Sequence, residues 1–210
     1  AYGVMPAEGR EYVYNDGLLS FMELNRKLIG EGLPALPETY AVFEENGTAY
    51  SVTDAVTGIS LKDFLAKNGG SLKWEQARPL FLPLIDTVNE LNKAGIIHGG
   101  ISPESVFVGR DGRVRIRDIF ISRARRADRE MTAQIYSGYA AVEQYKSELG
   151  ELGSYTDVYG ISATLYRVLI GAVPEDAVTR LESGASLTIP ARFADELPRQ
   201  VLVAMANGLK

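Results

Sequence analysis

The sequence predicts a mixed α+β fold in which a short β-hairpin near the N-terminus leads into a mostly helical remainder. Three observations carry that prediction. Asn46-Gly47 separates two β-prone runs, residues 40–43 and 48–52, and an Asn-Gly pair suits the type I′ hairpin turn because both central residues take positive φ. Trp74, Ala77, Phe81, Leu84, Ile85, Val88 and Leu91 fall on one helical stripe within residues 74–94. A second amphipathic run covers residues 156–170 and is closed by Gly171 and Pro174.

The remaining elements follow in chain order. Residues 1–20 show no sustained period and read as irregular chain with one short strand. Phe21, Leu24 and Leu28 recur at helical spacing over residues 20–28, before Gly30, Gly32 and Pro34 stop the helix. Thr57-Gly58 forms a break, which places a boundary between residues 1–58 and residues 59–210. Ser60 is positioned to cap a helix over residues 61–67, ended by Asn68-Gly69-Gly70. Pro79 and Pro83 lie inside the long helix; since an interior proline costs about 3 kcal/mol, a kink or a later helix start is expected there. Gly95 ends that helix. Short β-rich pieces, residues 106–108 and 114–116, flank Asp111-Gly112 as a second hairpin, and a last helix is expected near residues 197–209.

Composition bounds what the chain does. With 46% hydrophobic and 23% charged residues the chain is globular rather than disordered. Lys and Arg number 22 against 27 Asp and Glu; the formal charge of −5 disfavours nucleic acid as a partner. Zero cysteines exclude a disulfide framework, a thiolate metal site and a cysteine nucleophile, and the single histidine, His98, excludes a multi-histidine metal cage. The best apolar stretch, residues 161–173, is interrupted by Arg167 and is too short to span a bilayer. The first ten residues lack the basic start and apolar run of a signal peptide. A cytoplasmic location is therefore expected, with any membrane tether lying in segments outside this chain.

One stretch carries chemistry. Ile96-Ile97-His98-Gly99-Gly100-Ile101-Ser102-Pro103-Glu104-Ser105 is followed by a hairpin and then Asp118-Ile119-Phe120. It resembles the catalytic segment of a bacterial protein kinase, H-R-D-x-x-P-E-N followed by D-F-G. Further matches occur in the same order: residues 45–54 resemble the strand that enters the hinge, with Thr53 as gatekeeper. Gly138-Tyr139-Ala140-Ala141-Val142-Glu143 resembles the A-P-E element, and Thr156-Asp157 the start of the central helix of the large lobe. The resemblance implies a protein-kinase-like fold with a reduced or truncated small lobe and a mostly helical large lobe, itself truncated before its last helices. It also implies structural roles for Asp157, which ties the catalytic-loop backbone, and for Glu143, which holds the activation segment. Glu143's usual arginine partner would lie past Lys210, or Arg180 substitutes for it.

Departures from that pattern are concentrated where the chemistry is. Gly100 stands where the family places its catalytic aspartate, Gly99 replaces the adjacent arginine, and Ser105 replaces the metal-holding asparagine. A positioned general base is worth roughly 10²–10⁴ in rate, and Gly100 offers none. No glycine-rich phosphate loop is present, and a loose alignment puts Tyr2 at the position of the phosphate-gripping lysine. By helical phase its glutamate partner would be Leu24, with Glu23 one residue off. His98 reads as a packing residue or as a general base, and Asp118 as a structural carboxylate or a single magnesium ligand. The hinge backbone at Asp54 and Val56 offers a contact for an adenine ring. Arg123, Arg125, Arg126 and Arg129, with Thr132 as a phosphoacceptor, read either as a docking patch for an acidic or phosphorylated partner or as a solvated loop. Taken together, these departures lead us to expect a catalytically inactive module that binds ATP and magnesium weakly or not at all. Its expected partners are proteins, such as a phosphopeptide-binding domain or an active kinase. The alternative is a nucleotide-binding or weakly active Ser/Thr kinase with a rearranged site.

Overall fold

The structure is a computed structural model that describes residues 3–210. Helix α1 (Glu11–Leu28) runs nine residues further toward the N-terminus than its periodicity indicates. The pattern fails there because Tyr12 and Leu19 face solvent while Gly17 takes a buried position, so no apolar stripe marks the first half. Strands β1 (Thr39–Glu45) and β2 (Thr48–Thr53) pair antiparallel across Asn46-Gly47, whose φ values are 54° and 73°. Both central residues are left-handed, as a type I′ turn requires. Phe43 and Tyr50 stack across the pair with ring centroids 5.5 Å apart.

The connection from α1 to the larger body is tightly held. Ala35 is fully buried; its N–H donates to Thr87 Oγ1 at 2.9 Å and its carbonyl accepts from Ile116 N at 2.7 Å. Strand β3 (Ile59–Ser60) pairs with β4 (Val106–Val108), and β4 pairs with β5 (Val114–Ile116), giving a second small sheet in the order β3-β4-β5. Ser60 caps α2 (Leu61–Lys67), its Oγ accepting from Asp63 N at 3.0 Å.

Helix α3 (Trp74–Lys93) is continuous through Pro79 and Pro83, contrary to the expected kink or late start. Pro79 is exposed and Pro83 only partly buried, so the carbonyls that lose a backbone donor lie toward water and the buried face is spared. That face is Ala77, Leu80, Phe81, Leu84, Thr87, Val88 and Leu91; Leu80 belongs to it, and Ile85, assigned to the stripe by period, is exposed. Helix α4 (Val142–Tyr145) is a single turn. Helix α5 (Ser154–Ile170) is buried along most of its length, packs on α3 and ends at Gly171 with φ 83°. Helix α6 (Ala177–Ser183) was not evident from the sequence, and α7 (Arg199–Gly208) closes the chain against α5. One continuous core runs from Leu61 and Leu65 through the α3 and α5 faces to Met205 and Leu209. Among the described residues, no helix is long and apolar enough to cross a membrane.

Candidate active site

A cleft of about 350 Å³ lies between the β1–β2 sheet and the helical body. Its walls include Phe21, Asn25 and Leu28 of α1, Thr53, Asp54 and Val56 beyond β2, and Asp118, Ile119 and Phe120 beyond β5. The hinge residues and the metal-binding turn expected from the sequence thus line one cavity. The Asp54 N–H already donates to Glu38 O at 2.9 Å and its carboxylate accepts from Tyr40 Oη at 2.7 Å. Any hinge contact therefore falls to the Asp54 carbonyl and the backbone of Val56. The α1 face toward the cleft is Phe21, Asn25 and Leu28, not Leu24, which packs toward the core. Asn25 is buried, with Nδ2 donating to Phe21 O at 2.9 Å. Tyr2 lies outside the described residues.

Below the cleft, residues 96–105 form a loop held from beneath by Asp157 on α5. Asp157 Oδ2 accepts from His98 N at 3.0 Å and from Asn92 Nδ2 at 2.7 Å, and Oδ1 accepts from Gly99 N at 2.7 Å. Burial pushes its carboxyl up, against these three donors, which favour the ionised form. His98 is fully buried: Nε2 lies 2.9 Å from the Arg117 carbonyl, and Nδ1 accepts from Gly100 N at 3.1 Å. That assigns the proton to Nε2 and leaves neither nitrogen free to take a substrate proton. Burial, with the Arg125 charge beside it, pulls the imidazole down to about 3. Ser105 is also fully buried and turned inward; its Oγ accepts from Ser102 N at 3.0 Å and donates to Ser102 O at 3.2 Å. Glu143 accepts from Thr156 Oγ1 at 2.6 Å. Arg180 does not substitute as its partner: its Nη2 donates to Tyr159 Oη at 2.8 Å and its Nη1 to Leu209 O at 2.9 Å.

The four arginines of the basic run do not form one surface. Arg125 is fully buried and reaches back into the catalytic loop, donating from Nε to His98 O at 2.9 Å, from Nη1 to Gln134 O and from Nη2 to Asp118 O. Its guanidinium lies 4.8 Å from the centroid of the Phe120 ring. Burial pulls it down to about 10. Arg126 is buried too, bonded to Glu151 at 2.9 Å and to Gly150 O. Arg123 pairs with Asp16 at 3.0 Å. Only Arg129 and Thr132 among the expected contact residues stand exposed without such ties, so the exposed four-arginine patch expected from the sequence is not formed. The reason is volume: two adjacent glycines in the loop leave a space that an arginine side chain fills. Sequence reasoning also missed Gln144, which donates from Nε2 to Gly99 O at 2.6 Å and to Arg125 O at 3.0 Å. Nothing in the linear pattern marks that residue.

A kinase-type site implies a nucleotide and magnesium. The cleft is of a size that small-molecule sites use, and the hinge backbone is in place. The metal-ligand set does not fit so well. Asp118 sits at φ 65°, partly exposed and 3.8 Å from Arg117 Nη2, while the Ser105 hydroxyl is consumed by its own turn. Among the described residues no cluster of three or more acidic, histidine or cysteine side chains is arranged to hold a metal.

Residues 24–194 match the protein kinase domain family. The serine/threonine-protein kinase cds1 of Schizosaccharomyces pombe is 28% identical over 67% of this chain and 32% of its own length. Sperm motility kinase 3A of Mus musculus is 28% identical over 96% of this chain and 40% of its own length. A probable serine/threonine-protein kinase of Clostridium perfringens is 30% identical over 60% of this chain and 18% of its own length. The chain thus spans about a third of the first of these relatives. The solved structure described as the PpkA-294 apo form superposes with a TM-score of 0.80, at 24% identity, over 99% of this chain and 73% of that one, which is a likeness of fold. These findings overturn the expectation that the chain is not an enzyme: the family is one of protein kinases, and two of these three relatives are named as serine/threonine kinases. That expectation rested on several departures taken together, at Gly99, Gly100 and Ser105 and in the missing phosphate loop and lysine, and departures from a motif do not by themselves remove the family's activity. With the hinge, the catalytic loop and its Asp157 support assembled as in that family, the chain belongs to the protein kinase domain family.

Proposed function

We propose that this is a Ser/Thr-type kinase domain with a rearranged catalytic centre, binding a nucleoside triphosphate in the interlobe cleft and transferring its terminal phosphoryl group slowly to a serine or threonine hydroxyl. The observation that carries this reading is the cleft itself, where the hinge at Asp54 to Val56 and the Asp118 turn face one cavity. An adenine ring would bond the hinge backbone, and Leu28, Leu36 and Val56 would cover its faces with apolar surface. Asp118 is the carboxylate available to a phosphate-bound cation. The other carboxylate on the cleft wall, that of Asp54, is engaged by Tyr40 Oη. Phosphoryl transfer depends on positioning and charge neutralisation, and with Gly100 and Ser105 supplying neither, the rate should be low.

A thermal-shift titration with ATP, with and without magnesium, tests the binding half of this reading. Ligand that binds only the folded chain raises the melting temperature by mass action, by about 2.7 kcal/mol of stabilisation at a hundredfold excess over Kd. A saturable rise that is lost on filling the cleft with Val56→Trp supports the site. No rise at millimolar ATP, in a chain shown to be folded, overturns it.

A further inference from the structure

Arg125 carries an arrangement that the catalytic-loop resemblance does not contain. Its side chain comes from the activation segment and enters the loop from the far side, where a Cβ on Gly100 would overlap the guanidinium atoms Nη1, Cζ and Nη2. A Cβ on Gly99 would stand 3.0 Å from Arg125 Cγ. Any side chain at position 100, an aspartate included, is therefore incompatible with Arg125 in this position. The three carbonyls it bonds belong to three different segments: His98 in the catalytic loop, Asp118 in the metal-binding turn and Gln134 further along the activation segment. The Phe120 ring packs over the same group, and Gln144 clamps the Arg125 carbonyl from the other side.

We propose that Arg125 is a tethered plug, an autoinhibitory contact that fills the catalytic-loop slot at Gly100 and holds residues 118–137 closed over the loop. This rests on the kinase reading for its consequence, since the slot it fills is where an acceptor hydroxyl and its base would meet. The plug is built to be released. A buried cation is costly unless paired, and none of the ion pairs within 4 Å among the described residues includes Arg125, which the Asp118 and Asp157 charges attract only from further away. Three neutral carbonyls and one ring face hold it instead, so withdrawal into water returns its hydration as those bonds are lost. Closure thus depends on shape at Gly100 rather than on a salt bridge.

The test is a double-mutant cycle read by amide hydrogen exchange over residues 118–137, which needs no nucleotide. Gly100→Ala forces the guanidinium out and should speed exchange in that segment by about tenfold or more, as expected when a local closed state is lost. In an Arg125→Ala background, where the segment is already released, Gly100→Ala should change exchange by less than about twofold. Equal effects of Gly100→Ala in both backgrounds, or unchanged exchange in Arg125→Ala, would overturn the plug. If Arg125→Ala does not fold, Arg125→Lys serves in its place: the single ammonium cannot reach three carbonyls at once, so accelerated exchange confined to residues 118–137 supports the plug, and wild-type exchange contradicts it. A chain that shows this coupling but no response to ATP sinks the nucleotide reading and leaves the plug standing. A response to ATP without the coupling does the reverse.

Discussion

The two sides of the catalytic loop have been treated differently. Beneath it, Asp157, Asn92 and the backbone of His98 and Gly99 form a closed set of hydrogen bonds in which every partner is buried or half-buried. Above it, the positions that would touch a substrate hold glycine at 100 and an inward-turned serine at 105, and an arginine from elsewhere fills the space. The difference teaches that loop conformation and loop chemistry are separable in this fold. The support depends on one carboxylate accepting three bonds, while the carbonyls of His98 and Gly99 are held separately by Arg125 and Gln144.

The largest expected effect strikes the support. Asp157→Ala leaves two buried backbone donors without an acceptor and the Asn92 amide with the Ile96 carbonyl alone, and should lower stability by about 3 kcal/mol in urea unfolding. A loss below about 1 kcal/mol would mean that the loop is held by something else.

Next comes the pH response of His98. Its folded value, pulled down to about 3, lies below the ordinary 6.5, so the unfolded chain binds the extra proton first as pH falls. Stability attributable to this group is intact above pH 6.5 and declines on acidification, by up to about 1.4 kcal/mol per pH unit down toward pH 3. Between pH 7 and 5 that is about 2 kcal/mol. Asp157, whose folded value is raised, acts in the opposite sense at the acid end, from 3.8 upward. The comparison is therefore wild type against His98→Gln over pH 5–7, where the variant should show the flatter curve. Parallel curves would mean that His98 is not held neutral.

Ser105→Ala should cost about 1 kcal/mol, because its hydroxyl serves the Ser102 turn, and it should leave the ATP response unchanged. A weakened ATP response at unchanged stability would move Ser105 from the support to the chemistry. The smallest effect on stability belongs to Asp118→Ala. Its carboxylate makes only a loose 3.8 Å contact with Arg117, so unfolding should shift by no more than about 0.5 kcal/mol while the magnesium-dependent part of the ATP response disappears.

Much of this was legible in the sequence, for identifiable reasons. Asn46-Gly47 specifies a hairpin through backbone sterics alone, and Ser60 specifies a cap through one side-chain bond; both are local and both are found. The order of the motifs around His98, Asp118, Glu143 and Asp157 was enough to place the fold. The early part of α1 escaped because its exposed Tyr12 and Leu19 and buried Gly17 invert the usual pattern. Pro79 and Pro83 misled because proline's cost depends on which face it occupies. The plug escaped for a deeper reason. Arg123 and Arg125 are indistinguishable as letters in a basic run, and the only hint was the paired glycines at 99 and 100, an empty volume whose filler is fixed by tertiary contact.

The central claim, a kinase-family loop with its support intact and its reacting groups rearranged, is tested most directly by phosphoryl transfer from γ-labelled ATP to a Ser/Thr peptide mixture. Wild type, Asp118→Ala and Gly100→Asp/Arg125→Ser should be compared side by side. The account predicts slow transfer by the wild type, none by Asp118→Ala, and a rise of about a hundredfold when a base is placed at position 100 and the arginine removed. Transfer by the wild type that survives Asp118→Ala, or a folded double variant no faster than wild type, would contradict it.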